Sequence, residues 1–386
     1  MRKNRKRVLY LLCLILIVLI TNGSSIDEVF PKVTEVPGVG GSEIKSFTLA
    51  FAGDIMAHDV NYNRKPYNPI YDGIQDLVWE ADLSFANLEF VFDPKKPPRS
   101  YPYFNAPPDY VKAAILGGFN VFSLANNHSL DMGTASIFET IEAIEDFAGT
   151  HRLYYNGICK EGEERLDPLF FEVGGVKFGF LAVTSFLNRH INSEYINVVP
   201  FYDDEAIEDF VVKLKAETKS AEVFILSYHG GVEYSRQPSP WKQDLFKRFI
   251  DAGVDIVWGH HPHVVQPWET VVTPHGEKLI LYSCGNLISG QTWTSGPQAE
   301  NPERNGTGES ALFMVELLVQ EDNVTARRIH AVPVCNYRDL DAGMVVKLFD
   351  SLSNIDMSDD WAVYYRDRFR ELETYLVDVS PWLFVR

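Results

Sequence analysis

The segment Ile256-Val257-Trp258-Gly259-His260-His261-Pro262-His263 runs from a short apolar stretch into a turn that is rich in imidazole groups. Four other apolar stretches also end on carboxylate, amide or imidazole side chains, at residues 51–54, 84–89, 122–131 and 225–233. Continuous apolar stretches of this length are typical of strands that are buried on both faces of a sheet. The five segments therefore predict buried strands whose carboxyl ends carry polar groups.

Amphipathic stretches separate the apolar ones along most of the chain. The predicted strands cover residues 47–52, 83–86, 121–125, 178–183, 223–228, 254–258 and 279–283. The predicted helices cover residues 69–80, 109–116, 134–147, 203–218 and 240–252. Strands that alternate with helices predict an α/β fold in which helices cover the sheet. Residues 311–319 and 324–334 then read as strands, and residues 340–375 as an amphipathic helical tail.

The charge balance restricts the classes of partner. The 386 residues include 53 acidic and 35 basic side chains, for a net charge of −18. A surface of this sign disfavours nucleic acid, whose phosphates are bound by basic surfaces. An anionic substrate needs a local reversal of charge, which bound metal cations can supply. The four cysteines form no C-x-x-C pair, which excludes a cysteine-type zinc site.

The first residues have the pattern of a targeting segment. Five basic residues between Arg2 and Arg7 precede an unbroken apolar run from Val8 to Ile20. This pattern is typical of either a cleaved signal peptide or a retained membrane anchor, here over residues 1–25. Residues 26–45 then read as a linker. We expect an exported domain that is anchored to the cell membrane on its extracellular or periplasmic side, or secreted if the leader is cleaved.

The polar groups at the strand ends predict a metal site. Ligands of open α/β sheets bind beyond the carboxyl ends of the strands, where the loops converge. The five ends offer carboxylates, amides and imidazoles, but no thiolate. This donor set suits Mn, Zn, Fe or Mg.

Six motifs, taken in order, resemble the CapA family. They are G-D-I-M at 53–56, A-N-L-E at 86–89, N-N-H-S-L-D at 126–131, H-G-G-V-E-Y at 229–234, G-H-H-P-H-V-V-Q at 259–266 and Y-S-C-G-N-L at 282–287. That family is associated with poly-γ-glutamate capsule synthesis and is related to the calcineurin-like metallophosphoesterases. The resemblance implies a four-layer α/β/β/α sandwich with two divalent metal ions over residues 46–338. The amphipathic pattern of the tail predicts a helical C-terminal extension over residues 339–386.

The polar residues at the strand ends and the resemblance together give expected roles for individual residues. The expected metal ligands are Asp54, Glu89, Asn127, His229, His261 and His263. The expected catalytic pair is His128, as an acid, with Asp131 orienting it. The expected substrate-binding residues are Asn87, Glu233, Tyr234 and Asn286.

Two positions depart from the phosphoesterase pattern. Met56 stands where phosphoesterases usually place a histidine, and Asn87 and Glu89 stand nearest to the usual bridging aspartate. Of the three imidazoles at 260, 261 and 263, His260 is the one not counted as a ligand. His58 is expected to be an ordinary histidine.

Two functions follow as hypotheses. The first is metal-assisted hydrolysis of a phosphoester or a γ-glutamyl amide, in an anionic polymer or a small phosphoester. The second is a non-catalytic component that binds or exports polymer alongside membrane-bound partners in capsule synthesis.

Overall fold

The computed structural model of the chain describes residues 43–378, except residues 190–193, 293, 295, 299–301 and 340. The predicted leader over residues 1–25 and all but the last three residues of the predicted linker lie outside this part. Within it, no helix combines the length and the apolar character that crossing a bilayer requires.

Strands and helices alternate through most of the described chain. The strands are β1 (Lys45–Ile55), β2 (Leu83–Leu88), β3 (Val121–Ser123), β4 (Tyr154–Asn156), β5 (Leu169–Val173), β6 (Val176–Thr184), β7 (Val223–His229), β8 (Ile256–His260), β9 (Trp268–Thr273), β10 (Gly276–Leu281), β11 (Asn286–Ile288), β12 (Glu309–Gln320), β13 (Asn323–Asp339) and β14 (Gly343–Leu348). The α-helices are α1 (Asp59–Tyr62), α2 (Gln75–Trp79), α3 (Pro108–Leu116), α4 (Thr134–Ala148), α5 (Asp204–Glu217), α6 (Pro240–Asp251) and α7 (Asp359–Glu373).

The strands form two sheets. The first has the order β14-β13-β12-β1-β2-β3-β4, with β11 also paired to β1. In it, β1 to β4 are parallel neighbours, and β12 to β14 add an antiparallel meander. The second sheet has the order β5-β6-β7-β8-β10-β9, with β6, β7, β8 and β10 parallel.

The two sheets pack face to face around an apolar core. Phe51 and Phe85 from the first sheet meet Phe180 and Trp258 from the second. The indole N–H of Trp258 donates to the Ala52 carbonyl oxygen across this layer at 2.9 Å. Two further cores hold helices on the outer faces, with α3 and α4 on the first sheet and α5 and α6 on the second. The predicted four-layer α/β/β/α sandwich is therefore confirmed.

The C-terminal segment differs from its prediction. We expected residues 339–386 to be helical, but β13 extends to Asp339 and β14 pairs with it in antiparallel register. A 3₁₀ helix, Phe349–Asn354, and then α7 follow. The helical assignment is wrong for residues 343–348, because Met344, Val345 and Val346 bury their side chains by extending the sheet.

The pairing of the strands aligns their carboxyl ends. Asp54 on β1 lies opposite Asn87 on β2, and His229 on β7 lies opposite His260 on β8. Two glycines permit close backbone contacts at this edge. A Cβ atom at Gly53 would overlap the Gly285 carbonyl group, and one at Gly259 would overlap that of Tyr282. Only glycine lets these backbone segments approach so closely.

Candidate metal centre

Asp54 lies fully buried at the end of β1 and touches groups from both sheets. Its Oδ1 accepts a hydrogen bond from Asn87 Nδ2 at 2.8 Å and lies 3.0 Å from His260 Nδ1. Its Oδ2 is 3.5 Å from His263 Nδ1 and has no hydrogen-bond partner among the described residues. The fold thus joins this carboxylate to the imidazoles that follow β8.

Glu89 supplies a second buried carboxylate. Its Oε1 is 3.7 Å from His229 Nε2 and 3.7 Å from His263 Nε2. Neither of its oxygens has a hydrogen-bond partner in the described part of the chain. A buried carboxylate without such partners is costly to maintain as an anion. A bound cation would remove that cost, so the residues present fit a metal.

His229, at the end of β7, lies between the two carboxylate groups and the loop after β3. Its Nε2 is 2.8 Å from Asn127 Oδ1, and its ring centroid is 5.0 Å from that of His261. Three sets of side chains place their ligand atoms within 4.8 Å of one another. They are Glu89 with His229 and His261, Asp54 with Glu89 and His263, and Glu233 with His261 and His263.

The surroundings of the two carboxylates shift their pKa values in opposite directions. Burial raises the pKa of Asp54, but the hydrogen-bonded His260 and the neighbouring His263 outweigh it and hold the pKa well below its usual range. Burial, together with the neighbouring Asp54 and Glu233, raises the pKa of Glu89 well above its ordinary value. In the absence of a cation, Asp54 therefore carries the negative charge more readily than Glu89.

The pKa values of the imidazoles also shift in opposite directions. Burial and the neighbouring histidines hold the pKa values of His229 and His261 well below the ordinary value. Burial also lowers the pKa of His263, but Glu89 and Asp54 outweigh it and raise that pKa to about 9. A neutral imidazole offers a lone pair to a metal, so His229 and His261 are ready to act as ligands at neutral pH.

The turn after β8 is strained. His261 has φ of 91° and His263 has φ of 58°, and Tyr234 in the facing loop has φ of 61°. Residues other than glycine rarely adopt a positive φ, and each one that does so lowers the stability of the fold by about 1–3 kcal/mol. Strain of this kind concentrates at functional sites.

His128 forms a pair with Asp131 in the loop between β3 and α4. His128 Nδ1 lies 2.7 Å from Asp131 Oδ2, which also accepts the Phe104 N–H at 2.6 Å. The Asn126 amide fixes the loop, because it donates to the Leu88 carbonyl oxygen and accepts from the His128 N–H. Asp131 therefore orients the ring and leaves Nε2 directed away from the pair.

The four predicted substrate-binding residues occupy different depths. Asn87 is fully buried among the predicted ligands. Asn286 is also buried, with Oδ1 3.0 Å from His263 Nδ1 and Nδ2 bonded to Gln291 Oε1 and the Thr307 carbonyl oxygen. These positions favour orienting roles over contact with substrate. Glu233 is exposed and Tyr234 half-buried, so both lie at the rim.

Sequence reasoning missed three residues at this site. His260 bonds Asp54, and Asn188 Nδ2 lies 3.4 Å from both ring nitrogens of His128. His58 accepts the Gly290 N–H at 3.1 Å, and burial beside His263 and His128 lowers its pKa to about 3. Asn188 follows the end of β6, so the reasoning applied to the other strand ends could have found it.

A family model described as "Bacterial capsule synthesis protein PGA_cap" matches residues 48–291. A capsule biosynthesis protein CapA of Bacillus anthracis is 27% identical over 333 residues, which cover 83% of this chain and 78% of that protein. A PGA biosynthesis protein CapA of Bacillus subtilis (strain 168) is 24% identical over 296 residues, which cover 73% of this chain and 75% of that protein.

A solved structure gives a weaker likeness. The calcineurin-like phosphoesterase YfkN of Bacillus subtilis aligns with a TM-score of 0.39 and 13% identity, over 86% of this chain and 99% of that one. A score of this size says nothing about the activity of this chain. The four layers and the polar strand ends are observed directly.

Proposed function

Since the chain belongs to the bacterial capsule synthesis protein family, we propose that it is a metal-dependent hydrolase that acts on an anionic capsule polymer such as poly-γ-glutamate. The scissile bond is a γ-glutamyl amide or a phosphoester. The observation that carries the proposal is the buried Glu89. Neither of its oxygens has a hydrogen-bond partner among the described residues, and its Oε1 lies 3.7 Å from both His229 Nε2 and His263 Nε2.

Six residues would hold two divalent ions, of Mn, Zn, Fe or Mg. They are Asp54, Glu89, Asn127, His229, His261 and His263. Cations held there would polarise the bond to be cleaved and help to activate water as a nucleophile. They also supply the local positive charge that an anionic substrate needs in a chain of net charge −18.

The chain's own residues supply the proton. Asp131 Oδ2 lies 2.7 Å from His128 Nδ1, so it orients the ring and accepts a hydrogen bond from the proton on Nδ1 when His128 acts as an acid. His128 Nε2 then delivers its proton to the leaving group. Glu233 and Tyr234, at the rim, contact the substrate beyond the reacting bond.

One observation favours a second function, in which the site binds the polymer without cleaving it. Asn87 lies opposite Asp54, and its amide donates to that carboxylate. An amide at this position adds no negative charge, and Met56 adds no ligand nitrogen. Such a centre would still bind carboxylates through its cations while activating water less strongly.

Export and partners belong to the same proposal. The basic and apolar residues of 1–25 support export, with the domain either anchored to the membrane or secreted after cleavage. There it would work alongside membrane-bound proteins of capsule synthesis. Fractionation of cells that express the full chain tests this step, and recovery in the cytoplasm would overturn it.

The central experiment measures metal content and turnover in the same samples. The substrates are γ-glutamyl oligomers and p-nitrophenyl phosphoesters. Asp54→Ala and His229→Ala should lose both metal and turnover, whereas His128→Gln should keep the metal and lose roughly 10²–10⁴-fold in kcat. His275→Gln, on the exposed turn between β9 and β10, is the matched control.

The outcomes separate the alternatives. Stoichiometric metal that persists unchanged in both ligand variants contradicts the assigned centre. Tight, metal-dependent binding of the oligomers without turnover favours the second function.

A further inference from the structure

Three arginines near the rim of the metal centre lack an acidic partner. Among the described residues, Arg99, Arg189 and Arg304 form no ion pair with a carboxylate, whereas Arg236 and Arg368 both pair with Glu309. The chain has 53 acidic side chains against 35 basic ones. Unpaired arginines in such a chain leave guanidinium groups free for an external anion.

Each of the three lies over a tyrosine ring. The guanidinium carbons of Arg99 and Arg189 are 5.2 Å and 5.8 Å from the ring centroid of Tyr103. That of Arg304 is 5.4 Å from the ring centroid of Tyr234. Contact with the ring restrains the guanidinium and leaves N–H groups at its edge for a carboxylate.

Two of these arginine–tyrosine contacts lie next to residues of the candidate metal centre. Arg189 Nη1 donates to the carbonyl oxygen of Asp131, the partner of His128, at 2.9 Å. The Tyr234 ring lies 6.1 Å from the ring of His263. One anion-binding point therefore adjoins the proposed acid, and another adjoins a proposed ligand.

We propose that Arg99, Arg189 and Arg304 are specificity-determining residues that bind free carboxylates of a γ-linked glutamate oligomer crossing the metal centre. This inference rests on the proposed function and deepens it. Every repeat of such an oligomer carries one free carboxylate, and the planar fork of arginine binds a carboxylate through two parallel hydrogen bonds. Tyr101, with 73% of its surface exposed, offers a nearby face for the methylene groups of the oligomer.

Two separate binding points make affinity depend on length. A dimer reaches the arginines at one place, whereas a longer oligomer engages both, so the second contact forms within the same complex. Binding should also weaken as salt is added, because the exposed Arg304 is screened by ions.

The test measures binding to the full-length, metal-loaded protein by calorimetry, with γ-glutamyl oligomers of two and of ten residues. The decamer should bind more tightly than the dimer. Arg189→Gln and Arg304→Gln should each weaken decamer binding by roughly tenfold, since each loses a charge-assisted contact. Arg189→Lys keeps the positive charge but loses the planar guanidinium group, so its affinity for the decamer should lie between those of the unaltered protein and Arg189→Gln.

Arg327→Gln is the matched control. Arg327 pairs with Glu316, which lies opposite Thr48 near the amino end of β1, away from Asp54. Its replacement should leave the affinity unchanged. Metal content equal to that of the unaltered protein shows that a variant is folded.

Two further ligands identify the anion. A decamer with methyl-esterified carboxylates should bind at least tenfold more weakly than the free acid. A glycerol phosphate oligomer that binds more tightly than the glutamate decamer, and loses affinity in the same variants, would overturn the carboxylate assignment.

Failure of this inference is distinguishable from failure of the proposed function. Folded arginine variants that bind the decamer as well as the unaltered protein overturn the inference, whatever the turnover. Decamer binding that falls in the variants while no substrate is cleaved supports the inference and contradicts hydrolysis.

Discussion

Lys242 is a buried cation on α6, behind the turn that carries the imidazoles. It is 1% exposed, its Nζ donates to the Tyr282 carbonyl oxygen at 2.9 Å, and it lies 5.3 Å from the centroid of the Phe246 ring. Burial lowers its pKa to about 7, against an ordinary value of 10.5. One hydrogen bond does not replace the hydration of an ammonium group, so the charged form is disfavoured in the folded protein.

This shift predicts a pH dependence of stability. Between pH 7 and pH 10.5 the unfolded chain binds more protons at Lys242 than the folded one, so the destabilisation caused by burying this residue decreases as pH rises and increases as pH falls towards 7. Relative to Lys242→Met, the unaltered protein should gain roughly 2 kcal/mol between pH 7 and pH 9. Denaturant unfolding at both pH values measures the difference. If the free energy of unfolding changed equally with pH in the unaltered protein and in Lys242→Met, the pKa of Lys242 would not be lowered and the prediction would be wrong.

At the scale of elements, α7 is tied to the loop that follows β7. Glu309, buried at the start of β12, binds Arg236 from that loop and lies 3.1 Å from Arg368 Nε on α7. The same loop carries Glu233 and Tyr234. The position of the C-terminal helix is thereby coupled to two residues at the rim of the candidate metal centre.

Removing the Arg368–Glu309 ion pair should increase the mobility of the loop that follows β7. In Arg368→Gln, Glu309 keeps Arg236 alone, so the free energy of unfolding should fall by roughly 2 kcal/mol, and hydrogen exchange over residues 230–238 should accelerate. Arg366→Gln, whose side chain is 54% exposed on the same helix, is the matched control. Exchange rates that are equal in the two variants would contradict the coupling.

At the scale of the whole molecule, the centre joins the two sheets at one edge. Asp54 and Glu89 come from the first sheet side, and His229 and the β8 turn come from the second. A cation shared by these groups would bind the folded chain and not the unfolded one. Binding of this kind stabilises the fold by mass action.

Metal removal should therefore lower the thermal stability of the entire domain. At a metal concentration of about 100 times Kd, the stabilisation is about 2.7 kcal/mol, which corresponds to a Tm shift of roughly 5 °C for a domain of this size. Melting curves with Mn²⁺ and with a chelator measure the shift. Glu89→Gln should melt at the same temperature in both conditions, and a full metal-dependent shift in that variant would exclude Glu89 as a ligand.

The alternation of buried strands and helices, and the polar groups at the strand ends, can be predicted from the amino-acid sequence. These properties are local, because apolar periodicity reports which faces are buried. The sequence does not predict the strands β4, β5, β9, β11 and β14, because an apolar run of only a few residues does not by itself distinguish a strand from other structure. The sequence predicts a helix for residues 343–348, because no local feature shows that β13 offers them a partner strand.

The contacts of each polar group, in contrast, follow from how the two sheets pack together. Sequence placed three imidazoles on one turn, but strand pairing and packing put His260 on Asp54 Oδ1 and His263 between Asp54 and Glu89. Asn286 became a partner of His263 because β11 pairs with β1. Such contacts depend on long-range register and on backbone strain, neither of which is written in any single stretch of the chain.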